Sequence, residues 1–193
     1  ISAGSGRIYA AGGGLDAAWS NVFLSGIVYA FREEEWYSLV DYSVRDLVRT
    51  MIDPSDPDHF WGATWGHGII EYRDNEAVAR YDESNSSLQS IYPGQDYVRV
   101  GGMAMDNDRN LWVTNSGVSR PVSVLTTEGW AGLEFNIDAP TLGDILVSGE
   151  GHKWIVLPRG YGLFVFDDRG TPGNSSDDLT RKFSPQDETG NTI

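Results

Sequence analysis

Short apolar segments rich in aromatic and β-branched residues recur along the chain, separated by turns that contain Gly, Asp, Asn or Pro. The clearest case lies between Asp58 and Tyr72, where an apolar segment beginning at Trp61 is followed by a Gly-rich turn and a second apolar segment. Short apolar segments bounded by such residues are typical of β-strands joined by tight turns. The pattern therefore predicts an all-β fold.

The same motif returns at intervals of about 40 to 50 residues. Each copy places an aromatic residue at the entrance of a strand: Tyr9, Trp61, Trp112 and Trp154. Repeats of this length with four strands each are the sequence signature of a β-propeller. We therefore predict antiparallel four-stranded blades, with Trp61 packed between neighbouring sheets.

The repeats predict a single domain that is a partial β-propeller of about four blades. The blades are expected to cover approximately residues 1–42, 43–92, 93–137 and 138–186, and residues 187–193 to lead into a further blade. The first blade is expected to lack its opening strand, and Gly12 to Ser25 to form a long insertion. Val98 to Met105 and Thr141 to Ser148 are the expected first strands of the third and fourth blades, and Leu179 to Phe183 is the expected last strand. Because an open set of blades exposes apolar sheet at both ends, a larger ring is favoured over a ring closed by four blades.

The amino-acid composition limits the classes of partner and site that the protein can have. The 193 residues include 28 acidic and 14 basic side chains, which give a formal net charge of −14. Affinity for nucleic acid and for anionic membrane surfaces depends on cationic side chains, so this charge disfavours both partners. The absence of Cys excludes disulfides and Cys-ligated metal. No apolar run approaches the roughly 20 residues of a membrane helix, and a start without Met or a basic segment indicates a piece of a longer protein.

Two stretches, Asp106 to Gly117 and Ser148 to Phe166, follow one frame: an aspartate-rich turn, Leu or Phe before Trp, a short strand, a Gly-rich turn, and then Gly-Leu or Gly-Ile and an aromatic residue, which the second stretch supplies as Gly162-Leu163-Phe164. This frame resembles the two-component regulator propeller repeat of Bacteroidetes proteins. The chain departs from that repeat at Pro57-Asp58 and at Arg109, which occupy a turn position where the repeat usually has Gly. The family includes ectodomains of hybrid two-component sensors and an accessory propeller protein of the type IX secretion system.

Two further stretches, Gly6 to Gly14 and Phe166 to Asp178, are more similar to the type IX secretion protein than to the sensors. The resemblance implies a non-catalytic binding or interaction propeller in the periplasm or at the cell surface. Its partner is expected to be an envelope protein or a glycan, and a periplasmic sensor ectodomain is the alternative role. The family carries no catalytic residues that would transfer to this chain.

Ligands usually meet a propeller at the end where the turns between second and third strands open. In this chain those turns carry four candidate ligand-binding residues: Trp65, His67, Arg159 and Tyr161. We predict Trp65 and Tyr161 as apolar platforms for a sugar or peptide and Arg159 as the partner of a carboxylate. The alternative is that Trp65 packs between blades, His67 is a solvated turn residue, and Arg159 pairs with a surface acid.

A second candidate site is the acidic, Gly-containing loop after Phe166. Its carboxylate and amide side chains are Asp167, Asp168, Asn174, Asp177 and Asp178. Calcium prefers six to eight oxygen ligands, so this composition predicts a possible calcium site, although the spacing is not that of an EF-hand. The alternative is a solvated acidic insertion between two strands.

A glycan-processing enzyme, either a sialidase or a lyase, is the alternative function, and a purely structural spacer is the third. Glycoside hydrolysis needs two carboxylates that face one cleft, and the sequence picks out no such pair among its many acids. A zinc site on His is not predicted, because His59 and His152 occupy equivalent positions of different blades and metal ligands must converge. The sequence therefore predicts no catalytic residue.

Overall fold

A computed structural model describes residues 1–186, and the expected lead-in at 187–193 lies outside the described residues. Within residues 1–186 the chain forms sixteen β-strands and no helix. The strands are β1 (Ser2–Gly4), β2 (Arg7–Ala11), β3 (Ser25–Arg32), β4 (Glu35–Arg45), β5 (Leu47–Asp53), β6 (Asp56–Gly66), β7 (Ile69–Arg73), β8 (Glu76–Tyr81), β9 (Val98–Met105), β10 (Leu111–Asn115), β11 (Val122–Thr126), β12 (Gly129–Leu133), β13 (Ile145–Val147), β14 (Lys153–Leu157), β15 (Gly162–Asp167) and β16 (Leu179–Phe183). The prediction of an all-β fold is confirmed.

The strands form three antiparallel sheets in chain order. Sheet I contains β1-β2-β3-β4 and sheet III contains β13-β14-β15-β16, each in sequence order. Sheet II has eight strands, in the order β12-β11-β10-β9-β6-β7-β8, with β5 paired to β6. It consists of two four-strand groups, β5–β8 and β9–β12, joined where Trp65 pairs with Arg99 and Gly66 with Val98. The arrangement is propeller-like, with successive antiparallel strands.

The expectation that the first unit lacks its opening strand is wrong. Ser2 to Gly4 form β1 and pair with β2, in the register Ser2 opposite Tyr9. This strand has no aromatic or β-branched residue, so its composition does not indicate a strand. Its position is stabilised instead by tertiary contacts, because the Ser2 hydroxyl donates to the Thr50 hydroxyl at 3.0 Å.

The opening strand of the last unit is shorter than the expected Thr141 to Ser148. Only Ile145 to Val147 form β13. Upstream of β13, the Gly143 amide donates to the carbonyl of Val156, and the Val156 amide donates to the carbonyl of Asp144. These bonds connect the segment to β14 without continuing the regular ladder, which accounts for the difference.

Aromatic side chains fill the spaces between the sheets. Tyr9, Phe60 and Tyr72 stack in sequence between sheet I and the β5–β8 group, with ring centroids 3.8 and 4.6 Å apart. Trp61 and Trp112 are buried in the next two clusters, which confirms that Trp61 packs between strand groups. Burial of side chains of this size contributes about 2 to 3 kcal/mol each. Three of the repeated aromatic residues, Tyr9, Trp61 and Trp112, therefore belong to the core, whereas Trp154 is only partly buried and stacks on Phe183.

The outer faces of sheets I and III carry exposed apolar side chains. On sheet I these are Tyr29, Trp36, Val40 and Tyr42, and on sheet III they are Leu146, Val156, Leu163 and Leu179. This exposure agrees with the expectation that an open set of blades leaves apolar sheet at both ends, while the size of the ring remains a prediction. No helix within residues 1–186 has the length and hydropathy required to span a bilayer.

Candidate functional site

Trp65 lies in the core. Its side chain is fully buried and makes an edge contact with Trp19 at 5.8 Å between ring centroids. The guanidinium of Arg99 lies 5.6 Å from the Trp65 ring centroid. Because β6 continues through Gly66 and pairs with β9, the residue expected in a turn lies within a paired strand. The structure does not present Trp65 to a ligand, as the alternative interpretation anticipated.

His67 lies in the β6–β7 turn and is partly exposed. Its Nδ1 atom is 3.1 Å from a carboxylate oxygen of Asp96, which also accepts a 2.6 Å hydrogen bond from Arg80. The His67 backbone amide donates to the Thr64 hydroxyl. The side chain is therefore already paired with an acidic residue at the surface.

Arg159 and Tyr161 share the turn between β14 and β15. Arg159 is exposed and has φ of 59°, in the left-handed region, and Tyr161 is 37% exposed. Lys182 places its Nζ atom 5.8 Å from the Tyr161 ring centroid. Among residues 1–186 no hydrogen bond or ion pair joins His67 to either residue. Ligand binding by these exposed side chains remains a prediction.

Most side-chain oxygens of the acidic loop interact with hydrogen-bond donors or cations of the protein itself. Asp168 pairs with Lys153, Asp177 accepts from the Thr171 hydroxyl, and Asn174 accepts from its own turn. The Asp178 carboxylate is buried without a donor among the described residues. Burial first, and then the nearby charges of Asp168 and Asp177, raise the pKa of Asp178 to about 6.

These contacts do not arrange the loop as a ligand shell. Within residues 1–186 no group of three or more His, Cys, Asp or Glu side chains is placed to hold a metal ion. Calcium binding by the loop therefore remains a prediction that the contacts above do not support.

A larger polar cluster lies at the end of the strands opposite the β6–β7 and β14–β15 turns, where the β5–β6, β7–β8 and β9–β10 turns meet. A cavity of about 450 Å³ opens there between the two four-strand groups of sheet II. Its lining includes the polar side chains Asp53, His59, Glu71, Arg73, Tyr81 and Arg109. We call these six side chains the junction cluster.

His59 is the centre of the junction cluster. Its Nδ1 atom lies 3.2 Å from Asp53 Oδ2 and its Nε2 atom lies 2.9 Å from Glu71 Oε1. The imidazole is buried, and the Trp61 ring packs against it at 4.1 Å between centroids. The register of β6 against β7 positions these groups, because His59 is directly opposite Arg73 and Glu71 is two residues before it.

The remaining members of the junction cluster satisfy the two carboxylates. Tyr81 donates to Glu71 Oε2 at 2.6 Å and Arg73 donates to Glu71 Oε1 at 3.0 Å. Burial opposes ionisation of Glu71, but these hydrogen bonds and His59 outweigh it and lower its pKa. Burial and the bond to Glu71 raise the pKa of Tyr81 to about 12.

Arg109 joins the second four-strand group to the cluster. Its guanidinium donates to Asp53 Oδ2 at 2.7 Å, across the cavity from the β9–β10 turn. Burial opposes ionisation of Asp53, but hydrogen bonds from Ser55, His59 and Arg109 outweigh it and lower the pKa of Asp53. The Arg109 backbone has φ of 67°, a conformation that favours Gly. Arg is therefore held at a strained position, and its side chain makes the ion pair across the junction.

Two substitutions of Arg109 distinguish the contribution of the ion pair to stability from the cost of the backbone strain. Arg109→Ala removes the pair and keeps the strain, so we expect a loss of about 1 to 3 kcal/mol. Arg109→Gly also removes the pair but relieves a left-handed conformation that costs about 1 to 2 kcal/mol, and we expect a correspondingly smaller loss. Urea denaturation followed by Trp fluorescence measures both. Equal losses would show that the strain contributes nothing.

A second cavity, of about 560 Å³, adjoins the first and shares Thr126 and Thr127 with it. Hydroxyl and amide side chains line it, including those of Asn110, Thr171 and Asn174. Among the described residues the indole N–H groups of Trp61 and Trp130, one on each cavity, are buried without an acceptor. The two cavities form a groove with a mixed polar and apolar lining at the end of sheet II that carries the β5–β6, β7–β8 and β9–β10 turns.

The comparisons with known proteins bear on the fold and on the family. No family model matches the chain, and no curated protein matches it. Among solved structures, the chain is similar to PorZ, an essential bacterial surface component of the type IX secretion system of Porphyromonas gingivalis. The identity is 27% over 97% of this chain, with a TM-score of 0.83. The resemblance inferred from the sequence is confirmed.

This chain spans 27% of the length of the PorZ chain. A second similar structure is the extracellular domain of a hybrid two-component system protein from B. thetaiotaomicron, with 16% identity, a TM-score of 0.41, and coverage of 86% of this chain and 28% of that one. A third is the PQQ-bound aldose sugar dehydrogenase from Streptomyces coelicolor, with 13% identity, a TM-score of 0.45, and coverage of 91% and 62%. Because both TM-scores are below 0.5, nothing about this chain is inferred from the second and third structures.

Proposed function

We propose that the chain is part of a non-catalytic interaction propeller of the bacterial cell envelope that serves type IX secretion. The observation that carries this proposal is the similarity to PorZ along 97% of the chain, at a TM-score of 0.83. In this proposal the sheets are four-stranded blades, and sheet II is two blades that share the short pairing between β6 and β9. The protein acts in the periplasm or at the cell surface.

The contacts within the junction cluster support a role without catalysis. Both ring nitrogens of His59 are occupied by carboxylates, and both carboxylates are occupied by further donors. A general base or nucleophile must reach a substrate atom with a free lone pair. The titratable groups of the junction cluster are bonded to each other, which favours a binding protein over a sialidase or lyase.

The partner in this proposal is a protein of the secretion machinery or an envelope glycan. The exposed side chains of Arg159 and Tyr161 and the groove beside the junction cluster are candidate surfaces for such contacts. Capture from envelope extracts with the full-length protein, together with a glycan array, tests partner binding. If neither detects binding, the interaction role is lost.

Removing the gene tests the secretion role directly. In a bacterium that carries it, deletion is expected to reduce the export of proteins that bear a type IX secretion signal, and restoring the gene is expected to restore export. The amounts of such proteins in the medium and in the periplasm are the measurement. Unchanged export in the deletion strain would contradict the proposal.

A further inference from the structure

The strand β4 forms an edge of sheet I and is the longest edge strand among residues 1–186. It pairs only with β3, in a continuous register from Arg32 opposite Glu35 to Gly26 opposite Asp41. The backbone N–H and C=O groups that point away from β3 therefore have no strand partner within the described part of the chain. A sheet edge of this kind can accept an added strand from another protein.

The edge of β4 lacks the features with which proteins usually protect a sheet edge. Charged residues, proline and short length all prevent a further strand from pairing. The segment from Trp36 to Val40 contains neither a charged residue nor Pro. By contrast, β8 carries Arg80, and β16 carries Arg181 and Lys182. The strand β12 is only five residues long and contains two Gly. Among these edge strands, β4 is therefore the least protected.

A cavity of about 440 Å³ lies beside this edge, between β4 and the β7–β8 hairpin. Its lining consists of Ser38, Leu39, Val40, Asp41, Tyr42, Tyr72, Asn75 and Ala77. Because side chains alternate along a strand, Asp41 is on the same face of β4 as Leu39, which packs against the core cluster that contains Tyr72. A side chain on that face of an added strand would enter the cavity.

Two oxygen groups in the cavity are available to a donor. The Tyr72 side chain is 4% exposed and its ring stacks on Phe60, but its hydroxyl makes no hydrogen bond within residues 1–186. Asp41 accepts hydrogen bonds from the Ser43 amide and hydroxyl through Oδ1, whereas Oδ2 has no donor among these residues. Burial first, and then the charge of Asp41, raise the pKa of Tyr72. Because a buried hydroxyl without a partner is unfavourable, a donor from a bound molecule would be stabilised here.

The surroundings of this cavity are acidic. Residues 33–41 include four acidic side chains and no basic one, and residues 74–77 include two acidic side chains and no basic one. Arg32 and Arg73, which flank these two segments, each form an ion pair with a nearby glutamate. Opposite charges on neighbouring strands stabilise their pairing, and like charges oppose it. The charge of this edge therefore complements a basic segment.

We propose that an extended basic segment of a partner protein adds to the edge of β4 as a fifth strand of sheet I. A Lys or Arg side chain of that segment enters the cavity and donates to Asp41 Oδ2 and to the Tyr72 hydroxyl. Because successive side chains of a strand point to opposite faces, the segment that fits best has basic residues at alternate positions. This proposal rests on the interaction role proposed above and names the chemistry of the partner.

The probe is a fluorescently labelled peptide in which Lys and Val alternate over the length of the edge from Glu35 to Asp41. Fluorescence anisotropy measures its binding to the purified full chain. We expect this peptide to bind, and we expect no binding by two matched peptides. One has Glu in place of Lys, and the other keeps Lys but has N-methylated backbone amides, which cannot donate to β4. Hydrogen exchange is expected to show increased protection of β4 with the Lys peptide.

Three variants locate the binding site. Asp41→Asn keeps an acceptor for Ser43 but removes the charge, so we expect about tenfold weaker binding, the effect of losing a hydrogen bond to a charged group. Tyr72→Phe keeps the stacked ring, so we expect weaker binding without a loss of stability in urea denaturation. Glu150→Gln is the matched control, because it removes one charge from the exposed β13–β14 turn of sheet III. It is expected to bind the peptide as the wild type does.

Failure of the Lys peptide to bind, or equal binding by its N-methylated form, would overturn the proposal, since the second result is adhesion by charge alone. Equal affinities of Asp41→Asn and Glu150→Gln would overturn it as well, and so would protection that appears only on other strands. These measurements use the purified chain. Their failure is therefore distinguishable from a failure of the secretion role, which is judged by export in the deletion strain.

Discussion

Replacing Lys153 with Met is expected to destabilise the fold by about 3 to 5 kcal/mol. Lys153 is 2% exposed, and its ammonium lies 2.7 Å from Asp168 and 4.3 Å from the centroid of the Trp112 ring. Removing the cation leaves the Asp168 carboxylate buried without its partner, which costs more than the ion pair itself contributes. The contact with Trp112 is lost as well. Through the contact between Lys153 and the Trp112 ring, this pair connects sheet III to the core cluster that contains Trp112.

Lys182→Met is the control for this prediction, because Lys182 lies on β16, two strands away in the same sheet, and is substantially exposed, with its ammonium bonded to the Asp138 carbonyl. An exposed ion pair of this kind contributes about 1 kcal/mol or less. Urea denaturation at pH 7 measures both variants. Adding Asp168→Asn to Lys153→Met is expected to recover part of the loss. Equal effects of the two lysine variants would show that burial of Lys153 does not matter.

The strands were predictable because aromatic and β-branched residues mark them and the motif repeats. Val98–Met105 and Leu179–Phe183 have the predicted bounds. Strand β1 lacked any such mark, and only its pairing with β2 defines it. Local composition therefore predicts strands that carry the core, whereas short edge strands depend on contacts that are distant in sequence.

Trp65 shows the same limit at the candidate site. Sequence placed it in an exposed turn, because Gly66 and Gly68 follow it. In the structure β6 runs through Gly66, and its end pairs with β9, so Trp65 is covered by the next strand group. That pairing joins residues more than thirty positions apart, as Trp65 to Arg99, and nothing in the local pattern indicates it.

The junction cluster was missed for a related reason. Asp53, His59 and Glu71 are close in sequence, but only the β5–β6–β7 register brings their side chains together. Arg109 is 56 positions from Asp53 and reaches it only through the approach of the β9–β10 turn. One sequence signal did point to it, which is Arg109 at a position where the repeat usually has Gly. Gly151 occupies the equivalent position of the last unit, also with positive φ. An Arg at a strained turn position indicates that its side chain contributes to the structure or the function of the protein.

Gly68→Ala is expected to be the most damaging substitution in the β6–β7 turn, with a loss above about 3 kcal/mol. Gly68 has φ of 73°, and a Cβ atom added there would lie 2.0 Å from the carbonyl oxygen of Tyr81. The left-handed backbone alone costs about 1 to 2 kcal/mol for a residue with a side chain. The overlap with backbone of β8 adds to this, because a strand paired with β7 cannot move away without breaking its ladder.

Gly94→Ala isolates the conformational part of that cost. Gly94 has φ of 79°, close to that of Gly68, but no atom lies within 4 Å of the added Cβ. We expect Gly94→Ala to lose only about 1 to 2 kcal/mol, so the difference between the two variants in urea denaturation measures the steric term. The amide of Gly68 also donates to the Val98 carbonyl of β9. Movement of Gly68 away from Tyr81 would therefore weaken the β6–β9 pairing, and exchange of the β9 amides is expected to accelerate in Gly68→Ala but not in Gly94→Ala; the same exchange rates in both variants would contradict this coupling.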